Sequence, residues 1–216
     1  MPHNHDIGPE DHHPGGKPKN SAFAKVSHKT QSEVHAATKE LADGGLTVHG
    51  WNDKVDQALL QGHTDAWKLG RQRSGDVSPL NADDHIAGRE KKDLESQWLD
   101  GFRDDIENGR YTLEDGTLNA AAIESRLNLY VGKLRGTANE AFAETSDDED
   151  QFIWELRGAE NHCEDCPDIA ALSPFTKETL FAYPGSGDTE CLGNCGCVLV
   201  RIRGETREEG FDRVDL

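Results

Sequence analysis

The segment His162-Cys163-Glu164-Asp165-Cys166 is followed, after 24 residues, by Cys191-Leu192-Gly193-Asn194-Cys195-Gly196-Cys197. These two segments contain all five cysteines of the 216-residue chain. A Cys-x-x-Cys turn directs two thiolates to one point, and a second cysteine pair completes a tetrahedron around zinc with Zn–S distances of about 2.3 Å. The spacing therefore predicts one structural zinc ion held by four cysteines, with Cys163, Cys166, Cys191 and Cys195 as the favoured ligands.

The identity of the fourth ligand stays open at the level of the sequence. Cys197 competes with Cys195, because residues i and i+2 of a strand point to the same face. His162 is a weaker substitute for one of the thiols. A structural metal would also explain how about 50 residues with few large apolar side chains can fold.

Other interpretations of the cysteines are a metal-free core of reduced or disulfide-paired thiols and a redox Cys-x-x-Cys. Thioredoxin-type motifs begin a helix, and Pro167 after Cys166 is compatible with such a start. A catalytic zinc needs an open fourth position and a general base, for which Glu164 and Glu190 are available. Five soft ligands favour a closed structural site over both.

On either side of the cysteines, the apolar pattern alternates with the period of a strand. Phe152, Trp154 and Leu156 form one alternating set, and Val198, Val200 and Ile202 form another. Between them we predict a short helix over 169–172 and a loop over 183–188. The sequence thus predicts a cysteine-rich ββ/α module at 151–203, followed by an acidic tail at 204–216.

Upstream of the module, residues 46–150 predict a helical body of antiparallel helices, which makes the expected fold class α+β. Three stripes have the helical period of 3.6 residues. They are Trp51, Val55, Leu59, Gly62 and Ala66; Ala87, Leu94, Trp98, Phe102 and Ile106; and Ile123, Leu127, Tyr130, Leu134, Ala138 and Phe142.

The two ends of the helical body are expected to be solvated. The acidic run at 144–150 is interpreted as a linker that cannot pack, because like charges repel. Residues 1–45 are rich in Pro, Gly, His and Lys and are predicted to be a flexible N-terminal arm, with a helix over 28–42 as an alternative. Four histidines, His3, His5, His12 and His13, are better explained by a His-rich tail than by a metal site.

The chain carries 41 acidic and 23 basic residues, a formal net charge of −18. No segment interleaves cations with aromatic side chains, so direct nucleic-acid binding is not expected. The acidity indicates solubility, with adaptation to high salt as an alternative. We also expect no membrane span or signal peptide, no small-molecule substrate, and synthesis in a cytosol where thiols stay reduced.

Residues 154–199 resemble the C-terminal module of phage Mu-F-like head morphogenesis proteins, also called minor head proteins. The matching motifs are Trp-x-Leu-x-Gly-x-Glu-x-His-Cys-x-x-Cys, Ala-Leu-Ser-Pro-Phe-Thr and the final Asn-Cys-x-Cys. Gly196 stands where that family typically has Arg. The helices from Thr47 to Tyr130 are similar in a less specific way.

The resemblance implies a non-enzymatic virion component, assembled in the host cytoplasm and placed in the viral head. Its partners would be the portal protein, the major capsid protein or both, and the arm would become ordered against them. Two other hypotheses remain: a zinc- or thiol-dependent hydrolase or oxidoreductase built on the cysteines, and a zinc-ribbon adaptor that binds host proteins.

Overall fold

A computed structural model describes residues 22–157 and 162–211. The fold is α+β, as predicted, with a bundle of long helices followed by a small antiparallel sheet. No helix within these two ranges is long and apolar enough to cross a membrane. In chain order the elements are α1 (Ala22–Ala42), α2 (Val48–Ser74), α3 (Ala82–Glu107), α4 (Ala120–Glu144), β1 (Gln151–Glu155), α5 (Asp165–Ala171), a 3-10 turn (Leu192–Asn194), β2 (Val198–Arg203) and β3 (Thr206–Glu209).

Helix α2 lies at the centre of the bundle and packs against α1, α3 and α4. It begins after Thr47, whose side chain accepts a hydrogen bond from the Gly50 amide and so forms an ordinary N-cap. The predicted stripes of α2 and α4 are confirmed, since every residue in both is buried. Trp51 is fully buried and its ring meets Phe102 of α3 edge-on.

The prediction of a flexible arm reaching residue 45 is wrong from Ala22 onward. Residues 22–42 form α1, which packs against α2 and α4 and buries Phe23, Val34 and Leu41. Hydroxyl side chains complete its buried face, and Thr38 accepts a hydrogen bond from Trp51 Nε1 at 3.1 Å. These polar positions interrupt the apolar stripe, which is why the sequence pattern looked weak. Residues 1–21, with the four histidines of the predicted arm, lie outside the described residues.

The predicted stripe of α3 is wrong at Leu94 and Trp98, which are 67% and 59% exposed. The helix is rotated so that Glu95 and Leu99 face inward instead. Glu95 lies 3.6 Å from Lys133 of α4, so a charged side chain occupies an inward position of the helix. A periodicity argument that counts only apolar residues cannot detect such a contact.

The sheet has the order β1-β2-β3, with both strand pairs antiparallel. Strand β2 is central, and Trp154 of β1 pairs with Leu199 of β2. The predicted acidic tail from residue 204 is wrong for residues 206–209, which form β3 at the edge of the sheet. Ion pairs from Arg201 to Glu208 and from Arg157 to Glu209 stabilise this acidic strand. Residues 212–216 of the predicted tail lie outside the described residues.

The predicted acidic linker is anchored rather than fully solvated. The Asp150 carboxylate is buried and accepts two hydrogen bonds from the Arg203 guanidinium, both at 2.7 Å. These bonds hold the pKa of Asp150 below its ordinary value, with burial opposing the shift. The run therefore connects α4 to β1 through a fixed ion pair, which pattern reading missed because it treated the carboxylates as mutually repelling.

Helix α4 joins the helical bundle to the cysteine-rich module. Its C-terminal residues Phe142 and Ala143 belong to the core of the module, together with Phe152 and Trp154. On the same helix, the Asn139 side chain donates to the Pro184 carbonyl at 2.9 Å and accepts from the Phe211 amide at 3.0 Å. The module is thus packed directly onto α4.

Candidate metal centre

The five cysteines come from three neighbouring parts of the module. Cys163 precedes α5 and Cys166 lies in its first turn, while Cys191 begins the 3-10 turn and Cys195 ends it. Cys197 is the residue immediately before β2. The structure therefore brings together all five predicted ligands, although 24 residues separate the two groups in sequence.

Several sulfur–sulfur separations in the cluster are those of two ligands on one tetrahedral ion. Cys163 Sγ lies 3.3 Å from Cys166 Sγ and 3.4 Å from Cys191 Sγ. Cys166 Sγ lies 3.7 Å from the sulfurs of both Cys191 and Cys195. A tetrahedron with Zn–S bonds of about 2.3 Å has sulfurs about 3.8 Å apart. Cys163, Cys166 and Cys191 therefore lie close enough together to bind one metal ion, whereas the Cys195 sulfur lies more than 4.8 Å from at least one of Cys163 and Cys191. All five thiols are free, since disulfide sulfurs would lie about 2.05 Å apart.

Cys197 forms a second group with Cys166 and Cys195, and His162 lies beside Cys197. The sulfurs of Cys166, Cys195 and Cys197 are all within 4.8 Å of one another. Cys197 Sγ lies 3.8 Å from His162 Nδ1. The sequence left the choice between Cys195 and Cys197 open. In the structure the sulfurs of both residues lie close to the Cys166 sulfur, so either thiol is near enough to share a metal ion with Cys166.

The environment of Cys166, Cys191 and Cys195 opposes ionisation of their thiols. Burial raises the pKa of Cys166 strongly and that of Cys191 to about 11. The neighbouring Cys197 thiol, together with burial, raises the pKa of Cys195. Burial also opposes ionisation of Cys163, but hydrogen bonds from Cys166 and Cys191 outweigh it and lower its pKa. A metal ion must therefore displace protons, so its affinity falls as the pH falls.

Arg135 of α4 supplies a buried positive charge beside the thiols. Its side chain is 2% exposed, and its guanidinium donates to the Cys195 carbonyl. The Arg135 charge favours the thiolate form of Cys195. Sequence reasoning missed this residue, and its one available signal was a cation within the most apolar helix of the chain.

Backbone hydrogen bonds fasten the two cysteine segments to each other. The Glu190 amide donates to Asp165 Oδ2 at 2.8 Å, and the Glu164 amide donates to Glu190 Oε2 at 3.3 Å. The carboxylates of Asp165 and Glu190 also lie within 4.8 Å of Cys163 Sγ. Glu164 and Glu190 were the two candidate general bases. The Glu190 carboxylate accepts a hydrogen bond from the backbone of the first cysteine segment, so it has a structural role.

The 3-10 turn packs against α4 at a point where each of the two segments has a glycine. A Cβ atom on Gly193 would come within 3.2 Å of Gly132 Cα and of the Leu129 carbonyl oxygen. This close approach places Cys191 and Cys195 at the surface of the helix, next to Arg135. The position of the second cysteine segment is thus determined by its packing on α4.

A second buried polar group lies inside the helical bundle. His63 Nδ1 lies 2.8 Å from Thr137 Oγ1, and His63 Nε2 lies 3.6 Å from Glu95 Oε2. Lys133 is 3.6 Å from the other oxygen of Glu95. These side chains connect α2, α3 and α4, and sequence reasoning did not identify them as a group.

Comparison with known proteins adds no relative to this description: no protein-family model, curated protein or solved structure matches the chain.

Proposed function

We propose that this chain is a non-enzymatic assembly protein of a tailed-virus head, with a C-terminal module held in shape by structural zinc. The observation that carries the structural part is the cluster of closely spaced thiols packed against α4 and Arg135. The viral part rests on the resemblance of residues 154–199 to minor head proteins. The two fit together, because a rigid module on a helical bundle suits a protein that contacts other proteins.

The thiol cluster supports a structural site more than a catalytic one. Cys166 and Cys195 are 1% and 0% exposed, and both lie between the sheet and α4. A catalytic zinc keeps one coordination position open to substrate, whereas a structural zinc is enclosed by four protein ligands. Here more thiols than four are within reach, so protein ligands suffice to fill every position.

The outer surface of α3 supports a role in protein contact. Leu94 and Trp98 follow each other by one helical turn and are both largely exposed. Large exposed apolar side chains grouped on one surface are typical of protein interfaces. The net charge of −18 disfavours DNA as the partner, so we assign the contact to the portal protein, the major capsid protein or both.

Three experiments test the proposal. Elemental mass spectrometry of protein purified under reducing conditions without chelator should find zinc. Mass spectrometry of purified virus particles should find peptides of this chain at low copy number relative to the major capsid protein. Deletion of the gene should yield misassembled heads. Absence from particles, together with normal heads after deletion, would refute the viral role and favour the host-binding adaptor.

The enzymatic alternative has one observation in its favour, which is the half-buried Cys163 thiol beside the carboxylates of Asp165 and Glu190. A hydrolase built on this group would lose turnover in Glu190→Gln while keeping its metal. Under our proposal the same variant keeps its metal and still supports head assembly. Head assembly in Glu190→Gln therefore separates the two functions.

A further inference from the structure

The cysteine-rich module contains six soft ligands in one cluster, which is more than one tetrahedral ion can use. They are the five cysteine sulfurs and His162 Nδ1. Each of these six atoms lies within 4 Å of another of the six. Cys166, Cys195 and Cys197 also form a group whose sulfurs are all within 4.8 Å of one another. One zinc ion takes four of them. Cys197 and His162 would then remain beside the site with no ion to bind.

We propose that the module binds two zinc ions that share the thiolates of Cys166 and Cys195 as bridges. This inference rests on the proposed structural zinc site and extends it from one ion to two. The first ion has Cys163 and Cys191 as its terminal ligands. The second ion has Cys197 and His162.

The sulfur positions fall into two groups that overlap at Cys166. Cys163, Cys166 and Cys191 form one group, and Cys166, Cys195 and Cys197 form the other. Cys166 belongs to both groups, as a bridging ligand must. Cys195 belongs to the second group, so binding of the first ion requires its sulfur to move toward Cys163 and Cys191. The separation of 3.7 Å between Cys166 and Cys195 is the edge expected for a zinc–thiolate tetrahedron, so two tetrahedra can share it.

Each ion then has four protein ligands without recourse to water or carboxylate. On the side of the second ion, His162 Nδ1 is 3.8 Å from Cys197 Sγ, the separation of two ligands on one metal. Asp165 and Glu190 are not needed as ligands, since each carboxylate accepts a hydrogen bond from a backbone amide of the opposite segment. The two bridging cysteines are also almost fully buried, as the centre of a binuclear cluster should be.

The charge of the site favours two ions over one. One Zn²⁺ with four thiolates carries a formal charge of −2, whereas two Zn²⁺ with five thiolates and a neutral imidazole carry −1. Burial of uncompensated charge is costly. The Arg135 guanidinium, buried against the Cys195 carbonyl, supplies a charge of +1 in the same place. The binuclear cluster together with Arg135 is therefore formally neutral.

Metal stoichiometry of the full chain tests the inference directly. Protein is purified reduced and without chelator, equilibrated with zinc, freed of loosely bound ions by gel filtration, and analysed for zinc per chain. We expect about two zinc ions in the wild type, and about one in Cys197→Ser and in His162→Ala. His49→Ala alters an exposed histidine on α2 and should leave the value at about two. Reconstitution with ¹¹³Cd should give two NMR resonances, of which His162→Ala removes one.

The possible outcomes separate this inference from the proposed function. One zinc in the wild type, unchanged in Cys197→Ser and His162→Ala, would overturn the binuclear site and leave the single structural zinc standing. Absence of zinc, or iron with inorganic sulfide in its place, would overturn both. His162 lies in a loop outside α5 and the sheet, so its replacement should not change the far-UV circular dichroism. A variant that has lost one zinc and kept its fold supports the second ion.

Discussion

Substitution of Gly136 by alanine tests whether the module is packed on α4 as described. Gly136 lies within α4, where the loop at 185–186 crosses the helix. A Cβ atom at this position would come closer than 3.0 Å to Ser186 Cα, Ser186 N and Gly185 C. All three are backbone atoms, so no side-chain rotation can relieve the overlap. The loop would have to move away from the helix.

The expected effect combines two opposing contributions. Alanine is favoured over glycine inside a helix by about 1 kcal/mol. Overpacking a tight contact costs about 1–3 kcal/mol, and three backbone overlaps place Gly136→Ala at the upper end of that range. The net expectation is a loss of about 2 kcal/mol in the free energy of unfolding. Gly101 of α3 is the matched control, because a Cβ there meets nothing within 4 Å. Gly101→Ala should therefore stabilise the protein by about 1 kcal/mol.

Urea unfolding followed by far-UV circular dichroism measures both variants against the wild type. The same chemical change, glycine to alanine in a long helix, should give opposite signs at the two positions. If Gly136→Ala were as stable as Gly101→Ala, the loop at 185–186 would not lie against α4. The module would then have to be placed elsewhere, and the assignment of Arg135 to the metal centre would be refuted with it.

Three further predictions concern other parts of the molecule. Trp51→Ala should lower the free energy of unfolding in urea by about 3–5 kcal/mol, because the Trp51 ring is fully buried. Trp98 is exposed, so Trp98→Ala should change the same free energy by less than about 0.5 kcal/mol. Equal losses in the two variants would contradict the rotation of α3. Asp150→Asn should cost about 2 kcal/mol at pH 7 by removing the charged acceptor of Arg203. Since the folded pKa of Asp150 is lowered, this contribution is present above the ordinary aspartate pKa of about 3.9 and is lost as pH falls through the folded pKa. The difference in unfolding free energy between wild type and Asp150→Asn should therefore shrink below about pH 4, and a constant difference would show that the carboxylate charge is not involved. Finally, Cys163→Ser should open residues 151–203 to protease and leave the helical bundle resistant; a digestion pattern identical to the wild type would contradict the metal site.

The sequence predicted those parts of the fold that a single local pattern determines, such as apolar periodicity or the spacing of cysteines. In α4 the regular apolar stripe from Ile123 to Phe142 is not interrupted by the buried polar residues of the helix, and it was identified residue by residue. The five cysteines were also predicted correctly as one cluster, because thiol spacing is a local constraint. Strands β1 and β2 followed from their alternation, and both are observed.

The errors occurred where polar groups contribute to packing. Helix α1 buries Ser27, Thr30 and Thr38 among its apolar residues, so its stripe was too irregular to separate from an arm. In α3 the inward position belongs to Glu95, whose partners lie on other helices. Strand β3 is held by arginines of the neighbouring strand and of the segment after β1, and its own sequence has no apolar alternation. Long-range polar partners cannot be read from local periodicity.

The candidate site was predicted in part for the same reason. The thiols carry their own signature, and their proximity needed no knowledge of the fold. Arg135 is distant in sequence from the residue it contacts, since 60 positions separate it from Cys195. Its role depends on how α4 lies against the module, which only the three-dimensional arrangement reveals.

All five cysteines lie in the part of the sequence that connects β1 to β2, and this affects the order in which the module folds. About 40 residues separate β1 from β2, and bringing the ends of such a loop together costs conformational entropy. If the proposed metal binds before the strands pair, it joins the two cysteine segments and leaves an effective loop of about ten residues, which lowers that cost by roughly 1 kcal/mol. The proposed metal would then favour the pairing of β1 with β2 before the sheet has formed. A low zinc concentration in the cell would then slow the folding of this module, whereas the folding of helices α1 to α4 would not depend on zinc.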